Sequence, residues 1–233
     1  FHRNVAANAP GATEDPNHYA WDNDVYPGDK KPTVTGSEMV FPSADIFCDG
    51  AFLSNYTPAN LDVSIRVRSV GGEGAGIAYR GRSRTQTGEK GNPGFGYRLF
   101  WKQDGTRVEL AYQWYGSTVA STAYTPATPI DWTVPHVVRV QAIGTSHKVW
   151  LDGTKIIDWT NGNYVGEGDI ILFRHLSEYH VDDLYMVDTS VSATSVAAAK
   201  SQNVGVSINV SGTGIHVTGA YDGYFYMEDD DRA

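Results

Sequence analysis

Residues 137–188 read VVRVQAIGTSHKVWLDGTKIIDWTNGNYVGEGDIILFRHLSEYHVDDLYMVD, and this stretch decides the fold. It holds three runs of apolar and β-branched residues, separated by turns of Gly, Asn and Asp. The middle run closes at Asp152-Gly153, a pair that favours a two-residue type I′ hairpin because both loop positions need a positive φ. The cross-strand pairs that this turn predicts are Leu151 with Thr154, Trp150 with Lys155, and Val149 with Ile156.

Three motifs in this stretch resemble the C-terminal half of the concanavalin A-like (laminin-G-like) β-sandwich family. In that family a V-R-V…G…K-V-W-L-D-G hairpin precedes a G-x-I-x-L strand and a closing strand of the V-D-D-L kind. The runs D-V-S-I-R-V-R and G-I-A-Y-R, in residues 62–80, resemble the N-terminal half. The resemblance covers residues 33–188 and implies an all-β, two-sheet antiparallel jelly roll. Lectins, glycanases, lyases and structural modules share this fold, so it leaves the function open.

The remaining segments differ in composition from the sandwich. Residues 1–32 are predicted to be an extended arm, with aromatic side chains that attach it to a surface. Residues 189–203 are rich in Ser, Ala and Val and are interpreted as a linker. Residues 204–233 predict C-terminal β-strands of an incomplete small module, which resembles the opening strands of an OB-like β-barrel module of secreted bacterial proteins.

Composition excludes several classes of function. The 233-residue chain has a formal net charge of −9, which argues against a nucleic-acid partner. No apolar run approaches the ~18 residues that a membrane span requires. Cys48 is the single cysteine, so no intrachain disulfide can form. The chain begins at Phe1 rather than Met, as it would after removal of a secretory signal, and we expect an extracellular protein.

Alternation along the strands predicts the core and one hairpin register. In residues 61–70 every second residue is apolar, as in a half-buried antiparallel strand. The hairpin of residues 97–115 is predicted to pair Tyr97 with Tyr112, Arg98 with Ala111, Leu99 with Leu110, Phe100 with Glu109, and Trp101 with Val108. The residues predicted to be buried between two sheets are Ile65, Ile77, Leu99, Leu110, Val149, Leu151 and Ile171.

A glycan site is predicted on the mixed polar and aromatic face of these strands. Sugar binding needs aromatic surfaces and a few fixed polar groups. The candidate residues are Arg80, Arg98, Gln113, Tyr115 and Trp150. In concanavalin A-like sandwiches this face would belong to the concave sheet. The alternative interpretation is a structural face covered by the loop of residues 83–94 and by the N-terminal arm.

An enzyme is the rival interpretation, because the resemblance includes polysaccharide-degrading hydrolases and lyases. Members that cleave β-glucans carry Glu-x-Asp-x-x-Glu on one strand, which points all three acids into the cleft. Here Glu167-Gly168-Asp169 is followed by Ile-Ile-Leu, so the third acid is missing. A lyase would need a Tyr or His base beside a group that neutralises a uronate, and no spacing singles out such a set. We therefore expect no catalytic residues.

Asp182 and Asp183 resemble an acidic pair that β-sandwich modules place near a structural Ca²⁺. Calcium takes about six to eight oxygen ligands, so Asp24, Asp49 or a nearby loop would have to contribute. The alternative is that one aspartate caps a turn and the other is solvated. No other cofactor is expected.

Self-association is predicted through the C-terminal strands, because strands that are not closed into a barrel leave unpaired N–H and C=O groups. The candidate residues are Val206, Ile208, Val210, Ile215, Val217, Tyr224 and Tyr226. Strand donation between copies would build a filament or a surface layer, with the N-terminal arm as a second candidate donor. The sequence thus favours a secreted, non-catalytic module that binds glycan or builds an extracellular assembly.

Overall fold

The structure is a computed structural model that contains two packed antiparallel β-sheets. It describes residues 20–24, 31–35, 38–43, 49–54, 57–81, 95–114, 117–188, 191–193, 208–210, 216–221 and 224–228. Among these residues the regular elements are all strands and there is no helix. The predicted all-β, two-sheet architecture is confirmed.

Sheet A has seven strands, in the order β1-β4-β13-β6-β7-β8-β9. Its strands are β1 (Ala20–Asp24), β4 (Asp49–Ser54), β13 (Asp169–His175), β6 (Gly74–Gly81), β7 (Phe95–Lys102), β8 (Val108–Trp114) and β9 (Ser117–Tyr124). All neighbouring strands pair antiparallel.

Sheet B also has seven antiparallel strands, in the order β12-β11-β10-β5-β14-β3-β2. Its strands are β12 (Thr154–Thr160), β11 (Ser146–Leu151), β10 (His136–Ile143), β5 (Leu61–Val70), β14 (Glu178–Asp188), β3 (Glu38–Phe41) and β2 (Thr33–Thr35). The chain crosses repeatedly between the two sheets, so each sheet mixes strands from distant parts of the sequence.

The core lies between the sheets and follows the alternation of the sequence. Strand β5 buries Leu61, Val63, Ile65 and Val67, while the residues between them are more exposed. The predicted hairpin register of β7 and β8 is confirmed at all five pairs. The core predictions confirmed by burial between the sheets are Ile65, Ile77, Leu99, Leu110 and Val149.

Two core predictions need correction. Ile171 is buried, but it packs with Ala78 and Phe173 in a separate cluster on the side of sheet A that faces away from sheet B. Its neighbours Ile170 and Leu172 supply the inter-sheet core instead, because successive strand residues point to opposite faces. Leu151 is only half-buried and packs against the edge of the core.

The Asp152-Gly153 turn forms as predicted, with φ values of 48° and 80°. Leu151 pairs with Thr154 and Trp150 with Lys155, as expected. The next pair is different, because the register shifts between Val149 and Trp150 and Val149 lies opposite Ile157 rather than Ile156. A β-bulge places one extra residue on β12, and the alternation of the sequence does not reveal it.

The segments described near both ends of the chain also form strands. Strand β1, assigned to the arm by composition, is the edge strand of sheet A and pairs with β4. Near the C-terminus, β15 (Val191–Ala193) and β16 (Ile208–Val210) pair in parallel, while β17 (His216–Tyr221) and β18 (Tyr224–Glu228) form an antiparallel hairpin. In the described part of the chain, β15–β18 thus form two separate two-stranded sheets.

Among the described residues no helix is long and apolar enough to cross a membrane.

The buried position of Leu110 gives a test of the core. Leu110 is 0% exposed at the centre of β8, so Leu110→Ala should lower the free energy of unfolding by about 2–5 kcal/mol through lost burial and a residual cavity. Val119→Ala on the edge strand β9 is the control, because Val119 is 57% exposed. Urea denaturation measures both; similar losses in the two variants would contradict the assigned register.

Candidate functional site

The outer face of sheet A, the side that faces away from sheet B, carries the polar and aromatic groups of the candidate site. Strand pairing arranges its residues in three rows across β13, β6, β7 and β8. The rows are Phe173, Gly76, Phe100 and Glu109, then Ile171, Ala78, Arg98 and Ala111, then Asp169, Gly81, Gly96 and Gln113. Of the predicted glycan residues, Arg98 and Gln113 therefore lie on this face.

Two phenylalanine rings lie flat on this face because the strand beneath them carries glycines. A Cβ atom on Gly76 would lie 2.5 Å from the Phe173 ring, and one on Gly74 would lie 2.8 Å from the Phe100 ring. The two rings are stacked with centroids 6.3 Å apart. Any larger residue at Gly74 or Gly76 would displace the rings, so these glycines shape the apolar part of the site.

Arg98 lies beside both rings. Its Cζ atom is 5.4 Å from the Phe100 centroid and 5.8 Å from the Phe173 centroid, which is within the range of cation–π attraction. Within the described part of the chain, the buried Nε of Arg98 and the buried Oε1 of Gln113 have no hydrogen-bond partner. Buried polar groups are normally hydrogen-bonded, so this pair can satisfy a ligand's polar groups.

His175 borders the same cluster. Its ring lies 6.1 Å from the Phe100 ring, and its Nδ1 is 3.2 Å from a Glu73 carboxylate oxygen. Burial lowers the pKa of His175, Glu73 raises it, and nearby Arg98 lowers it further, with a net shift below the ordinary value. The imidazole is therefore mostly neutral at pH 7.

Glu109 and Asp169, two carboxylates described on the outer face, are too far apart to form a catalytic pair. Glu109 pairs with Arg107, whose Nε lies 3.3 Å from Glu109 Oε2. Asp169 is in the row of Gly81, three strands and about four residues away, which corresponds to a separation of about 19 Å. Glycosidase carboxylates are about 5–10 Å apart.

Arg80 does not lie on the outer face, which corrects the prediction. It has φ 50°, and the register between β6 and β13 shifts beside it. This bulge turns the side chain to the same side as Tyr79, where Arg80 is 0% exposed. Its Nε donates to Ala59 O at 2.6 Å, and Nη1 donates to Gly144 O at 2.8 Å and to Tyr164 O at 3.2 Å. Arg80 thus joins three loops at one end of the sandwich.

A buried network continues from Arg80 between the sheets. The Tyr97 hydroxyl donates to the Asn161 side chain at 2.8 Å. His147 Nε2 lies 3.1 Å from the Asn161 carbonyl, which can only accept, so Nε2 carries the proton. Nδ1 then accepts from the Tyr79 hydroxyl at 2.9 Å. Burial and nearby Arg80 lower the pKa of His147 to about 4, although the Asn161 carbonyl opposes this shift.

Trp150 belongs to the other sheet, which also corrects the prediction. It lies on β11 in sheet B, where its ring packs under the guanidinium of Arg139, 4.6 Å from the ring centroid. Arg139 donates two hydrogen bonds to Asp62, at 2.7 and 2.6 Å. Trp150 and Arg98 therefore lie on different sheets and cannot form one site. Tyr115 lies outside the described residues.

The predicted metal-binding residues Asp182 and Asp183 lie beside the Arg66 side chain. Arg66 Nη1 lies 3.4 Å from Asp183 and 4.0 Å from Asp182. Asp182 Oδ1 accepts from the Asp183 N–H at 2.9 Å. Asp24 and Asp49, the suggested additional ligands, are on strands of sheet A, whereas this pair is on β14 in sheet B. The described residues contain no group of three His, Cys, Asp or Glu side chains that could hold a metal ion.

The predicted assembly residues fall on the C-terminal strands in part. Ile208 and Val210 are on β16, Val217 is on β17, and Tyr224 and Tyr226 are on β18. Two further candidates, Val206 and Ile215, lie outside the described residues.

Comparison with known proteins places the fold. No protein-family model and no curated protein sequence matches this chain. Among solved structures, carbohydrate-binding module CBM66 from Bacillus subtilis aligns at 16% identity with a TM-score of 0.55, over 71% of this chain and 94% of the module. The metal-free carbohydrate recognition domain of Emp46p aligns at 13% identity with a TM-score of 0.51, over 72% of this chain and 88% of that domain.

A third similar structure comes from work on endo-acting O-glycanases that human gut bacteria express to initiate mucin breakdown. It aligns at 14% identity with a TM-score of 0.54, over 78% of this chain and 98% of that chain. At such identities the similarity concerns the fold, which is the concanavalin A-like β-sandwich that the sequence motifs predict.

The buried His147 predicts a pH-dependent stability. The unfolded imidazole has a pKa near 6.5 and the folded one about 4, so the unfolded state binds more protons between these values. The contribution is complete above pH 6.5 and is lost as the pH falls toward 4, by about 2–3 kcal/mol. Urea denaturation at several pH values should show a flatter profile for His147→Gln. Parallel profiles for the variant and the wild type would contradict this role.

Proposed function

We propose that this chain is a non-catalytic, extracellular β-sandwich module that binds glycans through the outer face of sheet A. The observation that carries the proposal is the partly exposed Phe100 ring, which packs on the buried Phe173 ring and lies beside the buried Arg98 Nε and Gln113 Oε1, two atoms without a hydrogen-bond partner among the described residues. Apolar ring faces suit the C–H surfaces of sugars, and a few fixed polar groups suit their hydroxyls.

The comparisons support this proposal at the level of function class. Two of the similar structures are named as a carbohydrate-binding module and a carbohydrate recognition domain. The third comes from work on enzymes that act on mucin, a substrate outside cells, which favours an extracellular location for this chain.

The geometry favours binding over catalysis. The two outer-face carboxylates considered above, Glu109 and Asp169, are about 19 Å apart by strand spacing, too far for either hydrolytic geometry. Glu109 is also engaged by Arg107. His147 is hydrogen-bonded between the sheets, away from this face. His175 borders the face, with its Nδ1 3.2 Å from a Glu73 carboxylate oxygen, so a lyase is the second candidate function, and an assay for unsaturated products from uronate-containing glycans distinguishes it from binding alone.

A glycan-binding assay with matched variants tests the site. Phe100→Ala removes one ring of the apolar surface and should weaken binding about tenfold, equivalent to about 1.4 kcal/mol. Trp150→Ala removes a larger aromatic side chain from sheet B and should leave the affinity unchanged. Glycan arrays would identify ligands, and calorimetry would measure the affinities. Equal losses in both variants, or absence of any glycan ligand, would count against the outer face of sheet A.

We also propose self-association through the C-terminal strands. In the described part of the chain, β15–β18 form two isolated two-stranded sheets, and each such sheet leaves backbone groups without a strand partner. Isolated pairs of strands are marginally stable in water, so a further strand should stabilise them. A neighbouring copy is the proposed donor, which would produce a filament or a layer.

Deletion separates the two candidate donors. Removal of residues 191–233 should abolish larger particles, as measured by light scattering and electron microscopy. Removal of residues 1–19 tests the arm and retains β1, which belongs to sheet A. If the full-length chain is monomeric at micromolar concentration, the assembly proposal is wrong. That result would not bear on the separate proposal of glycan binding.

A further inference from the structure

The charge on Arg98 has no anionic partner among the described residues. In the described part of the chain, its guanidinium contacts the rings of Phe100 and Phe173. The rings attract a cation, but they do not replace the hydrogen bonds that its N–H groups make in water. Nε is buried without an acceptor. A partly buried guanidinium in this position is strongly favoured by a negatively charged group.

Nearby carboxylates are committed elsewhere. Glu109 is diagonal to Arg98 in the strand register, close enough for long side chains to meet. It nevertheless pairs with Arg107. Glu73 contacts His175 Nδ1 at 3.2 Å instead of Arg98. The arginines described on strands of sheet B differ from Arg98, because each has an anionic partner. Arg66, Arg68 and Arg139 each have a carboxylate oxygen within 4.0 Å.

We propose that the glycan bound by the outer face of sheet A carries a carboxylate, as uronic acids and other acidic sugars do, and that Arg98 binds this carboxylate. The inference rests on the proposed function and specifies its ligand class. A guanidinium matches a carboxylate through two parallel N–H···O bonds, which gives both strength and orientation.

Neighbouring groups fit the rest of an acidic sugar. Gln113 Oε1 accepts a hydroxyl hydrogen, and its Nε2 is weakly engaged at 3.4 Å by Thr118. Phe100 is partly exposed and offers its ring to a C–H face. On β8, the small residue Ala111 lies directly opposite Arg98.

An array of neutral, uronic acid-containing, sialylated and sulfated glycans provides the first test. The expected ligands carry carboxylates, and Arg98→Gln should weaken their binding about 10- to 100-fold, as loss of a charge-assisted hydrogen bond does. Arg98→Lys should retain part of the affinity, because lysine keeps the positive charge but cannot donate two parallel hydrogen bonds to one carboxylate. Arg66→Gln removes the same charge from sheet B and is the control for long-range electrostatics.

Chemical reduction of the ligand provides the second test. If polygalacturonate binds, its carboxyl-reduced form should not, although its backbone is retained. Thermal denaturation of each variant excludes loss of fold as the cause. Binding of neutral or sulfated glycans alone would overturn the carboxylate assignment and leave glycan binding intact. Carboxylate binding that is insensitive to Arg98→Gln would also overturn it, whereas an array without any ligand would remove the proposed function itself.

Discussion

The hydrogen bonds of Arg80 hold the two sheets in their relation at one end of the sandwich. Its guanidinium donates to carbonyls that precede β5, that form the β10–β11 turn, and that lie between β12 and β13. Below it, Tyr79 and Tyr97 of sheet A meet His147 of sheet B. A charged group buried this deeply is tolerated only with such complete hydrogen bonding. Since Arg80 and Tyr79 share β6 with Ala78, the same strand fixes the floor of the outer face.

Strand β6 links the interior to the candidate site, because it carries Arg80 on one side and Ala78 on the other. The bulge that turns Arg80 inward places Gly81 beside Gly96 on the outside, so the row between Asp169 and Gln113 has no side chains at its centre. One feature of the backbone thus places the Arg80 side chain in the interior and two glycines on the outer side of the sheet. Arg80 and Arg98, which look equivalent in the sequence, consequently differ in their contacts: Arg80 donates to carbonyl oxygens, and Arg98 lies beside two phenylalanine rings.

Sequence patterns predicted the features of the fold that depend on the alternation of neighbouring residues. The register of β7 and β8 and the Asp152-Gly153 turn were predictable, because side-chain parity and turn chemistry are properties of neighbouring residues. The same patterns failed at Arg80 and at Ile156, where a bulge reverses parity without a sequence signal. They also failed for Trp150. The alternation of residues along a strand predicts which face of its sheet a side chain occupies, but it does not predict which of the two sheets the strand joins. Two of the five predicted glycan residues therefore lie elsewhere, Arg80 because of a bulge and Trp150 because of long-range strand pairing.

The mixed origin of each sheet has a consequence for biosynthesis. Strand β4 lies between β1 and β13, and β5 lies between β10 and β14, so neither strand acquires both neighbours until residues beyond 168 have been made. Folds that depend on such distant pairing form slowly, because the entropy cost of closing a long loop comes before the stabilising contacts between its ends can form. A ribosome therefore releases most of this sandwich before it can close. Such a chain therefore stays incompletely folded until β13 and β14 have been synthesised.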